Sequence, residues 1–423
     1  MTKRAGLVLA ALVGAVAMMA AGVVALNLRD ESSANPSMTP SGAEAVERGR
    51  YLALAGNCAG CHTVAGGAAY AGGLGIPTPF GVVFAGNLTP DVRNGLGAWT
   101  ANDFWRALHN GRSRDGHLLY PAFPYTSFTR IARADSDALF AYLQSVPAAS
   151  QANRPHELGF PYSTQATLAV WRALYFKPGV ARDDVAQSAE WNRGAYLVRG
   201  LGHCNACHAP RGPLGGIDDS PELNGGLITQ LNWFAPRLGP TPDDPATSEQ
   251  QAQWVALLKT GQSKHQTASG PMAEVVFKST QHLLDADLQA MAAFMANLPA
   301  RPAGEPRGGG RTTAPPAVLK AGTALYKDRC AACHGEGGQG APGAYPALAN
   351  NPTVLQDPPA NLVRMVLEGG FMPATAGNPR PYGMPPFGQS LSNAEIAAVL
   401  SFVRKAWGHQ AAAVTELEVA RYR

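Results

Sequence analysis

One pentapeptide pattern, Cys-x-x-Cys-His, occurs three times in this 423-residue chain and accounts for all six of its cysteines. The copies are CAGCH from Cys58, CNACH from Cys204 and CAACH from Cys330. A structural zinc site needs a second pair of ligands close in sequence, and a disulfide framework is typical of small secreted domains. A thioredoxin-like pair follows a strand and needs no adjacent histidine. The pattern is instead the attachment signature of c-type haem.

The geometry of a helical turn supports this interpretation. Residues i, i+3 and i+4 lie on one face of a helix, so both thiols and the adjacent imidazole project together. Two thiols can then bond to the vinyl groups of one haem while the histidine reaches the iron. We therefore predict three covalently bound haem c groups. The predicted attachment residues are Cys58, Cys61, Cys204, Cys207, Cys330 and Cys333, and the predicted proximal iron ligands are His62, His208 and His334.

The N-terminal sequence predicts a membrane segment. Lys3 and Arg4 precede 24 uncharged residues, from Ala5 to Leu28, and a helix of about 20 residues can span a bilayer. Positive charge ahead of the span indicates an N-terminus in the cytoplasm. We expect an inner-membrane protein in contact with lipid, whose haem domains face the periplasm. The alternative is a cleaved signal peptide, although its apolar core is usually only about 7–15 residues long.

Composition excludes one class of partner and predicts an open, loop-rich fold. The formal net charge is only +4, and no basic stripe alternates with aromatic residues, so nucleic-acid binding is not expected. Glycine and proline are abundant, with 47 and 34 residues, which predicts long loops between the helices.

Similar segments surround each pentapeptide. A glycine precedes the first cysteine by eight to ten residues, and each repeat closes with an amphipathic helix pattern: DSDALFAYLQSVP, DADLQAMAAFMANLP and SNAEIAAVLSFVRKAW. The first two patterns open on Asp or Ser, which are plausible N-caps. A glycine in the first helix would let an aromatic residue of the closing helix approach closely. The glycines are Gly49, Gly194 and Gly322.

This arrangement resembles the packing of class I cytochrome c domains. The predicted fold is therefore mainly α, with three tandem class I cytochrome c domains after an N-terminal transmembrane helix. We expect an anchor or signal at residues 1–30, domains at 40–186, 187–302 and 317–412, a Gly/Pro-rich linker at 303–316 and a tail at 413–423.

A second iron ligand is usually a methionine from a later loop, and His/Met ligation raises the reduction potential. The predicted ligands are Met384, in PYGMPPFG, and Met272, in SGPMAEVV. Met365 and Met372 are the alternatives to Met384, as a helix-face core residue and a loop contact.

The first domain has no methionine at the corresponding place, where Phe123 stands in LYPAFPY. Three arrangements remain open. His117 or His109 binds the iron, the iron is five-coordinate and shielded by Phe123, or His156 reaches in from elsewhere in the domain.

The chain beyond the anchor resembles the three-haem cytochrome c subunits of bacterial membrane-bound alcohol, gluconate, sorbitol and aldehyde dehydrogenases. The matching segments are GNCAGCHTV, NLTPD, LYPAFPY, GHCNACHAPRG, GPMAEVV and AGNPRPYGMPPFG. The PAFPY form is most similar to subunits that accompany molybdopterin aldehyde dehydrogenases, whose complexes include a 2Fe-2S subunit. Partners that carry pyrroloquinoline quinone (PQQ) or FAD are the alternative.

The resemblance implies an electron-transfer subunit with no catalytic substrate site of its own. It would pass electrons from an aldehyde, or from an alcohol or sugar, through three haems to ubiquinone. Two other functions compete with this one. The chain could be a haem enzyme of the peroxidase or thiosulfate-oxidising type, or the cytochrome c subunit of a terminal oxidase.

Overall fold

The computed structural model describes residues 2–29, 42–218, 220–240, 246–300 and 313–423. Most of the predicted linker, residues 303–312, lies outside the described residues. The described chain forms two compact units. Unit one extends to Arg182 and includes Arg199–His203 and Arg211–Ile217, whereas unit two comprises Asp183–Val198, Cys204–Pro210 and Asp218–Arg423.

Unit one is built from seven helices and one small sheet among its described residues. The elements are α1 (Thr2–Asn27), α2 (Ala43–Ala55), α3 (Cys58–His62), β1 (Gly75–Thr78), β2 (Gly81–Phe84), α4 (Ala101–Asn110), α5 (Tyr125–Phe128), α6 (Arg133–Ser145), β3 (Glu157–Leu158) and α7 (Gln165–Tyr175). The sheet is antiparallel in the order β1-β2-β3, with Ile76 opposite Val83 and Gly81 opposite Leu158.

Helix α1 is long and apolar enough to cross a membrane. Its mean hydropathy reaches 2.6, and no residue of its most apolar stretch is buried. Leucines and valines along the helix, such as Leu7 and Val13, are about two-thirds exposed, at 71 % and 62 %. An apolar helix of this length without a protein partner for most of its surface is typical of a lipid-facing segment.

Unit two contains eleven α-helices and two two-stranded sheets among its described residues. The elements are α8 (Ala189–Tyr196), α9 (Asn205–His208), β4 (Gly226–Ile228), β5 (Trp233–Ala235), α10 (Ser248–Thr260), α11 (Gly270–Lys278), α12 (Asp285–Ala296), α13 (Pro316–Arg329), α14 (Ala331–His334), α15 (Pro352–Leu355), α16 (Ala360–Glu368), β6 (Gly370–Phe371), β7 (Gly383–Met384), α17 (Asn393–Val403) and α18 (Glu416–Tyr422). Strands β4 and β5 pair antiparallel, as do β6 and β7. A π-helical turn, Leu197–Leu201, follows α8, and a 3-10 turn, Thr280–His282, follows α11.

Three pairs of helices cross at the glycines that the sequence singles out: α2 with α6, α8 with α12, and α13 with α17. A β-carbon added at each glycine would lie only 1.9–2.1 Å from a backbone carbonyl oxygen of the closing helix. The oxygens belong to Ala138, Ala290 and Ala398, and the β-carbons of Tyr142, Phe294 and Phe402 are also in contact. As the sequence pattern predicts, the helices approach closely because these positions have no side chain.

The expected Asp or Ser caps of α6 and α12 are wrong. The N-cap residues are Ala132 and Leu284, and neither makes a side-chain cap. Asp135 and Asp287 lie in the first turn of their helices, where they accept hydrogen bonds at 2.8 Å from the Nε atoms of Arg48 and Arg193 respectively. The acidic residues at these helix starts therefore bind the first helix of each crossing pair.

Candidate functional site

Each Cys-x-x-Cys-His segment folds as a single helical turn. The first is α3 itself, while Cys204 and Cys330 are the N-caps of α9 and α14. The amide N–H groups of His208 and His334 donate to the carbonyl oxygens of these cysteines at 2.8 and 2.9 Å. This i to i+4 bond places the first thiol and the imidazole on one helix face, as predicted.

The Nδ1 atom of each pentapeptide histidine is hydrogen-bonded to a backbone carbonyl oxygen. The Nδ1 atoms of His62, His208 and His334 lie 2.7, 2.6 and 2.9 Å from the oxygens of Gly86, Pro236 and Pro346 respectively. A carbonyl oxygen only accepts, so Nδ1 carries the proton, and a neutral ring then presents its lone pair at Nε2.

Burial also shifts the pKa of the same three imidazole rings. It lowers the pKa of His62, of His208 and of His334, which favours the neutral imidazole. Histidines that bind metals commonly donate their second N–H in this way, because the bond fixes both the tautomer and the ring orientation. Nothing in the sequence identifies the three carbonyl partners, which lie in loops 12 to 28 residues downstream.

The first cysteine of each pentapeptide is partly buried, whereas the second is exposed. Burial raises the pKa of Cys58 and of Cys204 to about 12, and that of Cys330 to about 11. Zinc binding requires thiolates, which the surroundings of these three cysteines disfavour. Within the described ranges, moreover, no three His, Cys, Asp or Glu side chains are grouped so that they could hold a metal ion. The donor set therefore fits covalent haem better than zinc.

The third pentapeptide opens into an apolar cavity of about 120 Å³. Cys330, His334 and Met384 line it together with aliphatic residues of α13, α16 and α17. A cavity that combines a thiol, an imidazole and a thioether with apolar walls fits a haem held by His and Met.

The other methionines considered as iron ligands have different environments. Met365, on α16, lines the same cavity as Met384. Met372 lies outside that lining, and its sulfur accepts a hydrogen bond from Gln262 at 3.2 Å. Met272 lies in the first turn of α11 and is half-buried.

The first domain's histidines have three different environments. His109 is 1 % exposed and stacks on Trp105, with Nδ1 2.9 Å from the oxygen of Thr129. The side chain of His117 is 49 % exposed, and its Nδ1 lies 2.5 Å from Asp115. The Nδ1 atom of His156 accepts the amide N–H of Phe84 at 3.1 Å.

Phe123 packs against two aromatic rings that belong to α5. The ring centroids of Tyr125 and Phe128 lie 6.3 and 5.4 Å from that of Phe123. Phe123 is thus part of an aromatic cluster at the place where the sequence lacks a methionine.

Comparison with known proteins follows the same threefold division. The cytochrome c family model matches residues 46–147, 192–299 and 319–407. The cytochrome c subunit of a quinone alcohol dehydrogenase from Gluconobacter oxydans (strain 621H) is 38 % identical over 86 % of this chain and 79 % of its own length.

Two further relatives belong to other dehydrogenases. The gluconate 2-dehydrogenase cytochrome c subunit of Pantoea cypripedii is 35 % identical, covering 89 % of each chain. A nicotinate dehydrogenase subunit from Pseudomonas putida is 41 % identical over 87 % of this chain, which matches only 31 % of that protein. The predicted resemblance is confirmed: this chain belongs to the cytochrome c family and, within it, to the cytochrome c subunits of dehydrogenases.

Proposed function

We propose that the chain is the electron-transfer subunit of a dehydrogenase complex and holds three haem c groups in three tandem class I domains. The observation that carries the proposal is that Cys330, His334 and Met384 line the same apolar cavity. When bound, haem supplies a one-electron iron couple whose ligands stay in place. The proposed domains keep the boundaries expected above, at 40–186, 187–302 and 317–412.

The roles of the residues follow from their environments. The cysteine pairs 58/61, 204/207 and 330/333 attach the haems, and the following histidines bind iron through Nε2. The hydrogen bond from each Nδ1–H to a carbonyl orients the ring and raises its basicity as a ligand. Met384 supplies the second ligand at the third site, and Met272 supplies it at the second. The apolar walls keep water away from the ligands, which favours a high potential.

We further propose that α1 anchors the chain in the inner membrane, with the haem domains in the periplasm and ubiquinone as the acceptor. The PAFPY segment favours a molybdopterin aldehyde dehydrogenase with a 2Fe-2S subunit as the partner. The test is purification from the native membrane in mild detergent, followed by cofactor analysis. Molybdenum with iron–sulfur supports this partner, whereas PQQ or flavin points to an alcohol or sugar dehydrogenase. Copper with a high-spin haem would contradict a dehydrogenase partner altogether.

Met384→Leu should remove the second protein ligand from the iron of the third haem. The substitution keeps the volume of the cavity wall but removes the thioether, so the reduced protein should bind carbon monoxide at one haem in three and that haem's potential should fall. Met365→Leu is the matched control, because it makes the same change in the same cavity. Carbon monoxide binding after Met365→Leu rather than Met384→Leu would reverse the assignment.

The first haem is tested without any methionine change. If His109 or His117 is the second ligand, the reduced wild-type protein should not bind carbon monoxide, and replacing that histidine by alanine should create binding at one haem in three. The spectrum of His109→Ala and of His117→Ala identifies which histidine it is. Fast binding to the wild-type protein would instead support a five-coordinate iron shielded by Phe123.

A further inference from the structure

The last turn of α1 is bonded into unit one through polar groups. Asn27 is 7 % exposed, and its Nδ2 donates to the oxygen of Ala169 on α7 at 2.9 Å. Its Oδ1 accepts from Nε of Arg172 at 2.8 Å. Nη1 of Arg172 in turn donates to the oxygen of Asn110 at 2.6 Å. These hydrogen bonds therefore join α7 to the C-terminal end of the apolar helix α1.

The outward face of α7 is apolar. Ala166, Val170 and Leu174 follow one another at i+4 spacing and are exposed, Val170 by 48 % and Leu174 by 63 %. The only charged residue of the helix is Arg172, which is 2 % exposed and bonded as described. A helix that faces water normally carries charged residues on its outer face. The outer face of α7 carries none.

The C-terminal part of α7 has the residues of a membrane interface. Trp171 and Tyr175 pack with ring centroids 5.3 Å apart, and Trp171 donates through Nε1 to the oxygen of Leu214, itself an exposed apolar residue. Lys177 follows and is exposed. Trp and Tyr are enriched where hydrocarbon meets water, and basic residues favour the adjacent headgroups.

We propose that α7 lies on the bilayer surface beside the end of α1, with the stripe Ala166–Val170–Leu174 in the boundary between headgroups and acyl chains. The occupant is lipid because α7 is hydrogen-bonded to the end of α1, and the apolar side chains of α1 are themselves exposed. Amphipathic surface helices bind membranes in this manner. The inference rests on the proposed membrane anchoring by α1.

Single-cysteine labelling of the full-length chain with its haems tests the inference. Leu174→Cys, Val92→Cys and Leu12→Cys are each reconstituted in phosphatidylcholine–phosphatidylglycerol vesicles without a dehydrogenase partner. A charged maleimide that does not cross the bilayer is added, and mass spectrometry follows modification. Val92 is the matched control in unit one, since it is apolar and 70 % exposed but lies between Asp91 and Arg93.

The thiol at position 174 should react at least about tenfold more slowly than the thiol at 92, because maleimide needs a thiolate in water and one unit of pKa changes the thiolate fraction tenfold. The thiol at position 12 should be protected. Equal rates at 174 and 92, with 12 protected, would overturn the α7 inference and leave the anchor intact. Rapid labelling at 12 would overturn the anchor itself. Slow labelling at 174 that requires an added dehydrogenase would mean that a protein, rather than lipid, covers the stripe.

Discussion

Arg404→Met is expected to lower the free energy of unfolding of the region around α17 by roughly 3–5 kcal/mol. The Arg404 side chain is 1 % exposed and pairs with Asp357, which is 9 % exposed, at 2.5 Å. Its guanidinium also donates to the carbonyl oxygens of Val354, Gln356 and Ala412 at 2.7, 2.8 and 2.7 Å. One side chain thus satisfies polar groups from two separate stretches of the chain, 354–357 and Ala412.

The cost arises mainly from what the substitution leaves behind. Methionine fills much of the same volume but donates no hydrogen bond, so a buried carboxylate loses its cation and three carbonyl groups, of which that of Val354 is buried, lose a donor. Burial lowers the pKa of Arg404 from its ordinary value, although the pKa of an arginine is so high that it stays charged at neutral pH. The loss should therefore be similar throughout the neutral pH range.

Urea unfolding of the haem-containing protein measures this change. Lys327→Met on α13 is the control, since Lys327 is exposed and a surface change of this kind usually costs less than about 0.5 kcal/mol. If both variants unfold at the same urea concentration, the Arg404 cluster contributes nothing beyond its packing.

Gly49→Ala should destabilise unit one by roughly 3 kcal/mol. The added β-carbon would lie 1.9 Å from the carbonyl oxygen of Ala138 and 2.7 Å from the β-carbon of Tyr142. Both belong to the facing helix, α6, so the clash is relieved only if α2 and α6 move apart. Such a movement would also lengthen the bond between Arg48 and Asp135.

Gly179→Ala provides the comparison, because nothing lies within 4 Å of a β-carbon at position 179 and its backbone is not left-handed. Thermal unfolding followed by circular dichroism should show a large fall in midpoint for Gly49→Ala and little change for Gly179→Ala. A small effect of Gly49→Ala would show that the helices tolerate separation at this crossing.

Local features of the chain are readable from its sequence, and long-range ones are not. The haem pentapeptides and the crossing glycines are predictable because their spacing alone fixes which groups share a helix face. Arg404 and Arg172 read as ordinary basic residues, yet both are buried with partners 47 to 145 residues distant. The caps expected for α6 and α12 fail for the same reason: the aspartates bind arginines 87 and 94 residues away. The hydrophobic periodicity of a sequence does not reveal pairs of residues that lie so far apart along the chain.

The carbonyl partners of the three histidines also imply an order of assembly. The thiols are placed by one helical turn, which needs only neighbouring residues, so attachment to haem can proceed on a chain that is still largely unfolded. Fixing the ring requires closure of segments that span 24, 28 and 12 residues. Since loop closure costs chain entropy that grows with the logarithm of length, the third segment closes with about 0.7 kcal/mol less cost than the second. Attachment of the proposed haem and orientation of its histidine ligand are thus separable events, and the C-terminal site has the smallest entropy cost for the second.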